Sequence, residues 1–409
     1  MIYDCLIIGG GASGLAAAIR LKQNDKNLKV CILEKLSRVG KKLAITGNGR
    51  CNISNEFIEL SRYHGQDTRF AEYALNRYSA FETEEFFDKI GVPFISEDNK
   101  LFPACLQASS VVDALRFECD NLGVETITDA NVTDISLNNY SYNVSSSKGD
   151  FSCKNLIVAS GLLSGGDKVG SDGSILRLLS SKDFKTVPTS PAIVQLKTET
   201  ELVKQLKGIK VDATATLKIN GEKIRSEFGE VLFTDYGVSG PAIMQISREA
   251  ARTKSNDIKV CLDLMPNIPF GELYNNLILR KKRLSYRGAD EFFTGLLNKR
   301  LGQVLLKASG IKLNGSAAEI DEKHLKTVVS NIKCFELKVT GNTGYINSQV
   351  TAGGLDTNEF FSNSMMSKKH KGLFAIGEIL DIDGDCGGFN LAWAFSSAFC
   401  AADYITGEE

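Results

Sequence analysis

The first unbroken apolar stretch is Cys5-Leu6-Ile7-Ile8. A short run that is apolar on both faces predicts a buried parallel strand. It stops at Gly9-Gly10-Gly11, and Ala16-Ala17-Ala18-Ile19-Arg20-Leu21 then reads as a helix with a small-residue face. A second apolar run, 28–33, predicts another strand and ends at Glu34. Over 123–160 polarity alternates, as in Val132-Thr133-Asp134-Ile135-Ser136-Leu137, which predicts short antiparallel strands. They lead into a buried strand over 155–161 that ends in small residues. Beyond Pro191 the pattern becomes strands joined by turns: 213–219, the hairpin signal Asn220-Gly221, then 230–234. Pro266 and Pro269 mark a break, and 270–330 shows helical periodicity, as over 296–306. A strand over 335–339 follows. The chain closes with a strand over 372–377, a glycine-rich loop and a helix over 390–404. The predicted segments are 1–190, an α/β part; 191–265, β-rich; 266–330, a small helical insertion; 331–345, a return strand of the β-rich part; and 346–409, the remainder of the α/β part.

Composition narrows this only slightly. The 409 residues are 43% hydrophobic and 24% charged, with a net charge of −1, so no global field draws the chain to nucleic acid or membrane. The N-terminus has no basic region followed by a long apolar one, and no run of about 18 apolar residues occurs. No secretory leader and no membrane span are expected. The ten cysteines form no C-x-x-C pair, which argues against zinc, iron–sulfur and disulfide-reductase sites. Cys5, Cys31 and Cys261 lie in apolar strands and read as small core residues. This usage fits a reducing cytoplasm, and the expected location is cytoplasmic.

The junction of the first strand and helix carries the clearest chemistry. Gly9, Gly11 and Gly14 have the G-x-G-x-x-G spacing: a tight turn, a close approach to a pyrophosphate, and a close helix–strand contact. Ala12 and Ser13 open a helix whose N-terminus presents N–H groups and positive dipole to phosphate. Glu34 stands twenty residues beyond Gly14, where a carboxylate accepts from an adenosine ribose and disfavours a 2′-phosphate. The bound nucleotide is therefore expected to be FAD or NAD rather than NADP.

Further motifs are Gly40-Lys41-Lys42-Leu43-Ala44-Ile45-Thr46-Gly47-Asn48-Gly49-Arg50-Cys51-Asn52 with Ile53-Ser54-Asn55, and Leu101-Phe102-Pro103. To these add the stretches 229–242 and 350–355 and the terminal loop from Gly377 and Glu378 through Asp385, Gly387, Gly388, Phe389 and Asn390. With these motifs the chain resembles, over nearly its whole length, the BaiN-like (YhiN-type) FAD-dependent oxidoreductases. That resemblance implies an α/β fold: a discontinuous Rossmann-like FAD-binding domain of the glutathione-reductase type, an inserted β-barrel-like domain and a small helical domain. It implies FAD as cofactor, with NADH or NADPH as a transient electron donor, since there is only one dinucleotide cradle. Two departures stand out. The strand exit, usually Ala-Thr-Gly-Gly in the family, reads Ala159-Ser160-Gly161-Leu162, and the loop 164–173 lacks a proline many members carry.

On that reading Lys35, Lys41 and Lys42 serve the FAD phosphates or solvent. The loop 46–55 is the expected reactive face, with Arg50, Cys51 and Asn52 the candidate catalytic residues. Arg50 offers a donor fork, Asn48 and Asn52 offer amides, and Gly47 and Gly49 allow unusual backbone angles beside a planar ligand. Cys51 is a candidate acid or covalent participant. Gly353 and Gly354 suggest a further backbone approach to the flavin, and Gly387-Gly388 another. Asn390 is expected to cap the last helix. Asp381, Asp383 and Asp385 alternate as in a calcium loop, but no Glu closes an EF-hand pattern, and no metal is expected. His64, His324 and His370 receive no role. Between 280 and 312 stand nine basic residues against two acids, with Arg280, Lys281, Lys282, Arg283 and Arg287 near Tyr286, Phe292 and Phe293. This is either an RNA-contacting patch with a stacking surface or a solvated helical face. The expected acceptor is an unsaturated small molecule. The alternatives are a uridine of ribosomal RNA, reduced to dihydrouridine, and a non-catalytic FAD sensor or scaffold. Nothing in the sequence sets the oligomeric state.

Overall fold

The computed structural model describes residues 2–137 and 141–408 and divides them into two compact units. One runs up to Pro191 and resumes at Ser348, and the other is Ala192–Asn347.

The first unit is built on a seven-stranded sheet. Its first strand, Ile2–Ile8, pairs in parallel with Val30–Leu33 on one side and with Gly149–Val158 on the other. Leu373–Ala375 adds a further parallel neighbour to Gly149–Val158. Residues from Cys5 to Ile8 and all of Val30–Leu33 are buried, because both faces of the sheet are covered; that is why they read as continuous apolar runs. Parallel pairing sends the exits of these strands to one edge, so Gly9, Glu34, Ala159 and Gly377 converge although they span most of the sequence. Tyr142–Ser146 and Val132–Leu137 are antiparallel, as alternation predicts. Glu125–Ile127 is not: it pairs in parallel beside Val30–Leu33 at the sheet edge. Alternation reports one solvated face, which an edge strand shows in either direction.

The first helix, Ala12–Asn24, buries its alanine-rich face. Near its end Arg20 grips Asp403 of the final helix, Phe389–Thr406, through two bonds of 2.7 and 2.9 Å. Tyr78 (2.7 Å) and Asn24 (2.8 Å) donate to the same carboxylate.

The second unit is a closed six-stranded barrel in the order Leu196–Thr198, Gly237–Ser239, Glu222–Phe233, Lys210–Ile219, Ile258–Asp263, Phe335–Asn342. The turn Asn220-Gly221 joins its two long strands with φ of +53° and +82°, the pair of positive values a type I′ turn needs. The stretch 191–265 is not all β. Helix Pro241–Arg252 packs on the barrel through Ala242, Ile243, Ile246 and Ala250. Its signals, a proline at the first helical position and apolar residues at helical spacing, are present but embedded among strand-rich neighbours. Three helices, Phe270–Arg283, Lys299–Ala308 and Glu322–Lys333, share one apolar core with the barrel.

Two residue assignments change. Cys261 is not a free core thiol but is disulfide-bonded to Cys334, 73 residues away. Phe292 and Phe293 offer no stacking surface: both are buried in the second core, and only Tyr286 beside them is exposed.

Burial by itself would raise the Asp403 carboxyl, but the bonds from Arg20, Tyr78 and Asn24 outweigh it and hold the group below the usual carboxylate range. A depressed folded-state value gives stability that is present above the unfolded value of about 3.9 and is lost as pH falls through the folded one. Asp403→Asn should therefore lower the unfolding free energy by about 2 kcal/mol at neutral pH, with the difference from wild type shrinking in acid. Urea unfolding at both pH values checks this, and an equal gap at both would remove the electrostatic explanation.

Candidate functional site: a dinucleotide cradle closed by both ends of the chain

The turn after the first strand is shaped by what cannot fit there. Gly9 has φ of +106°, and a Cβ on it would lie 2.5 Å from the Ala159 carbonyl oxygen. A Cβ on Gly14 would lie 2.0 Å from the Gly9 oxygen, so the first helix starts directly on top of the turn. Gly11 differs: a Cβ there would meet no protein atom within 4 Å. Gly11 is also the residue before the helix and makes no side-chain cap, leaving the first-turn N–H groups of Ala12, Ser13 and Gly14 for an outside acceptor. Ser160 and Gly161 (φ +62°) continue the rim, and Gly161 likewise has open space over its Cα. This is the form of a pyrophosphate cradle.

Glu34 braces that turn. Its two carboxylate oxygens accept from the N–H groups of Gly10 and Leu36, each at 2.8 Å. Burial raises its pKa, opposed by those two bonds and by the charges of Lys41 and Lys35. Each oxygen keeps a further lone pair, so both bracing the turn and accepting from a ribose are within its capacity. Of the three lysines, Lys35 pairs with Asp172 and Lys42 with Glu378, while Lys41 acts on Glu34 through charge.

The loop 46–52 is tightly wound. Thr46 donates to the Leu43 carbonyl at 2.7 Å, and Gly47, Asn48, Gly49 and Cys51 all have positive φ. Asn48 and Cys51 occupy a region that non-glycine residues rarely adopt, a form of strain found at functional sites. Arg50 lies 4.4 Å over the Phe102 ring and pairs with Glu97 at 2.5 Å. Asn52, with its amide turned so that both ends find partners, donates to the Ser54 carbonyl (2.8 Å) and accepts from the Gly388 N–H (3.0 Å). Cys51 is fully buried, and burial pushes its thiol up to about 12.

The C-terminal loop meets this assembly from the other side. A Cβ on Gly377 would lie 2.9 Å from the Ser13 hydroxyl, which places the end of the chain against the start of the first helix. The Gly377 N–H donates to Ser397, and the Trp393 indole donates to the Gly377 carbonyl. Glu378 accepts from the Thr351 N–H at 2.9 Å, and the Thr351 hydroxyl accepts from the Leu163 and Ser164 N–H groups. The loop over 162–173, with its unusual sequence, is thereby tied to Glu378. Gly388 (φ +97°) starts the final helix, and a Cβ on it would sit 2.2 Å from the Ser54 carbonyl oxygen. Asn55 donates to the Gly387 carbonyl at 2.9 Å. The helix has no side-chain cap, so the N–H groups of Phe389, Asn390 and Leu391 are its unshared donors.

Asn390 is not a cap. Its side chain reaches back to accept from the Gly384 N–H (2.8 Å) and donate to the Gly384 carbonyl (2.7 Å), pinning the loop. Gly353 and Gly354 are explained by protein neighbours: added Cβ atoms would lie 2.5 Å from the carbonyl oxygens of Pro188 and Ile379. His64, given no role from sequence, bonds Asp385 through Nε2 at 2.9 Å, with Arg62 at 3.4 Å from the same carboxylate. These partners lie more than 300 residues apart in sequence, and no spacing signals them.

A family profile described as "HI0933-like protein Rossmann domain" matches residues 3–404. The chain belongs to this family. It is 33% identical over 397 residues, 97% of each chain, to a 3-dehydro-bile acid delta(4,6)-reductase of Clostridium scindens. It is 29% identical over 405 residues, again 97% of each, to a ribosomal RNA dihydrouridine synthase of Haemophilus influenzae. Among solved structures, 3-ketosteroid-delta4-(5alpha)-dehydrogenase of Rhodococcus jostii aligns with a TM-score of 0.50 at 14% identity, covering 99% of this chain and 96% of that one, a likeness of fold. The chain is an FAD-dependent oxidoreductase. The cradle fits that cofactor: the space over Gly11, the two uncapped helix starts and the Glu34 carboxylate match a pyrophosphate, a polar ring edge and a ribose. Among the described residues no helix is long and apolar enough to cross a membrane, and no cluster of His, Cys, Asp and Glu could hold a metal ion.

Two substitutions separate fold from cofactor binding. Gly14→Ala should fail to give folded protein, because its Cβ meets backbone. Gly11→Ala should keep the melting temperature of the cofactor-free protein and lose bound FAD. Flavin absorbance after gel filtration, with melting curves, reads both, and an FAD-replete Gly11→Ala protein would show that the cradle is not the pyrophosphate site. Cys51→Ala should change turnover less than severalfold and leave the pH–rate profile unchanged from neutral to alkaline pH, because a thiol at about 12 stays protonated there. Loss of an alkaline limb in the variant would instead mark Cys51 as titrating in catalysis.

Proposed function

We propose that this protein reduces an unsaturated small-molecule acceptor with electrons from a reduced nicotinamide, NADH or NADPH. FAD, when bound, would supply the hydride-transfer chemistry between such a donor and a double bond of the acceptor. The observation that carries the reading is full-length similarity to a 3-dehydro-bile acid delta(4,6)-reductase, together with one dinucleotide cradle among the described residues. With one cradle, which FAD takes, the nicotinamide is a visiting substrate rather than a resident one.

The chain's own residues bind, orient and polarise. Gly11 and the first-turn N–H groups of Ala12 and Ser13 receive the pyrophosphate, Glu34 receives the ribose, and Lys41 adds positive potential. The uncapped start of the final helix, at Gly387-Gly388-Phe389, would offer its N–H groups and positive dipole to a polar edge of the cofactor and favour negative charge there. Arg50, Cys51 and Asn52 line the reactive face. Asn52 holds the loop to Gly388, the Cys51 side chain packs in the interior, and Arg50, carried on the Phe102 ring, is the group free to exchange Glu97 for an anionic part of a substrate.

A second reading, reduction of a ribosomal RNA uridine to dihydrouridine, draws on one feature. Lys281, Lys282, Arg283 and Arg287 make no ion pair among the described residues, and Tyr286 beside them is 77% exposed. Against it, Arg280 is committed to the carbonyls of Phe292 and Thr294, and basic residues in the last turn of a helix already suit its dipole. The deciding experiment is mass spectrometry of ribosomal RNA from cells with and without the gene, alongside anaerobic NADH-driven turnover of conjugated 3-oxo-steroid acceptors by the purified enzyme. We expect acceptor reduction and unchanged RNA. A uridine that gains two hydrogens only when the gene is present would replace the first reading with the second. Changing Lys281, Lys282 and Arg283 together to Glu should then abolish RNA modification, whereas under the first reading it leaves steroid turnover intact.

A further inference from the structure

The one cysteine pair of the second unit has no part in the cradle. Cys261 lies in the barrel strand Ile258–Asp263, and Cys334 immediately precedes the strand Phe335–Asn342 that pairs with it. Their Cα atoms are 4.9 Å apart, within the range a disulfide spans. No other cysteine is disulfide-bonded, and six of the other eight are buried. A chain that leaves so many thiols free does not use disulfides as its framework.

Nor does this region depend on the bond to stay folded. Strand pairing joins Cys261 to Glu336 and Leu262 to Phe335. Lys333 pairs with Asp263 at 2.6 Å and donates to the carbonyls of Met265 and Ile268. The Leu264 N–H donates to the Ile332 carbonyl. Helices between the two cysteines are held by their own apolar contacts, including Leu273, Leu277, Leu305, Val328 and Ile332. Cys334 is only half-buried, whereas Cys261 is buried.

We propose that Cys261 and Cys334 form a reversible redox site that clamps and releases the segment 262–333, which carries the three helices. The oxidant is a peroxide, the chemical class a flavoenzyme generates when its reduced cofactor meets oxygen. The accessible Cys334 thiolate attacks hydrogen peroxide, giving a sulfenic acid and hydroxide. The Cys261 thiol then displaces the oxygen as water, so two thiols and one peroxide become one disulfide and two waters. A dithiol or glutathione reverses this by thiolate attack on the accessible sulfur. The inference does not rest on the choice of acceptor.

The test uses the full-length, FAD-loaded enzyme. Native protein is reduced with dithiothreitol, treated with hydrogen peroxide, quenched with an alkylating agent, and mapped by non-reducing peptide mass spectrometry. We expect the 261–334 crosslink to disappear in dithiothreitol and return with peroxide, with no loss of the folded state. Cys105, the exposed thiol outside the pair, provides an internal comparison, because the nearby Cys51 is fully buried and Cys105 should gain oxygen rather than a partner. Limited proteolysis of the connection 284–298 should slow severalfold in the oxidised form, since the clamp restricts local opening. Cys334→Ser should remove both the crosslink and this protection. If the variant does not fold, the wild-type redox cycle alone decides. A bond that opens only in denatured protein would make it a permanent staple and overturn the proposal, as would both thiols remaining alkylatable after peroxide.

Discussion

Backbone packed against backbone without a side chain between is the constraint on which this structure rests. Gly14 sits on the Gly9 carbonyl, Gly9 on that of Ala159, and Gly388 on the Ser54 carbonyl, while Gly377 sits against the Ser13 side chain. Each contact is closer than any Cβ tolerates, and together they draw strand exits from both ends of the chain to one edge of a parallel sheet. Two helix starts, at Gly11 and Gly388, are left without a side-chain cap. The positive ends of those helices are the most economical way for a near-neutral chain to present positive potential to a dinucleotide.

Carboxylates then organise what the glycines bring together. Glu34 holds the turn, Glu378 ties the loop over 162–173 to the sheet through Thr351, and Asp385 collects His64 and Arg62 beside the start of the last helix. Asp403 locks the far ends of the first and last helices. Glu34 and Glu378 act as acceptors for backbone N–H groups, while Asp385 and Asp403 each gather several side chains. Asp385, one of the alternating acids of the terminal loop, is engaged by the side chains of His64 and Arg62.

Some of this was legible along the chain. The strand, glycines, helix and Glu34 follow one another within 34 residues, so local spacing is enough to specify them. The Asn220-Gly221 hairpin and the helices of 270–333 are also local matters of turn chemistry and apolar period. Other features misled for physical reasons. Gly353 and Gly354 did mark a close approach, but period and composition do not say whether protein or ligand makes it. Asn390 stood where a cap belongs, yet the loop before it folded back and took its amide. Phe292 and Phe293 were counted with the basic residues around them, although a fold with a second core to fill placed both rings inside. The disulfide escaped because motif reading searches short spacings, and its two cysteines meet only when the barrel closes.

By itself, the sequence determined the first strand–turn–helix unit, the main hairpin, the helices of 270–333 and the cofactor class, because glycine conformations, apolar period and the distance from Gly14 to Glu34 act over a turn or two of chain. The tertiary structure alone decided which residues share the site. His64 with Asp385, Asn52 with Gly388, Lys42 with Glu378 and Cys261 with Cys334 are each set by strand order and barrel closure. Contacts at such separations depend on topology, and topology is a property of the whole packed core rather than of any stretch within it.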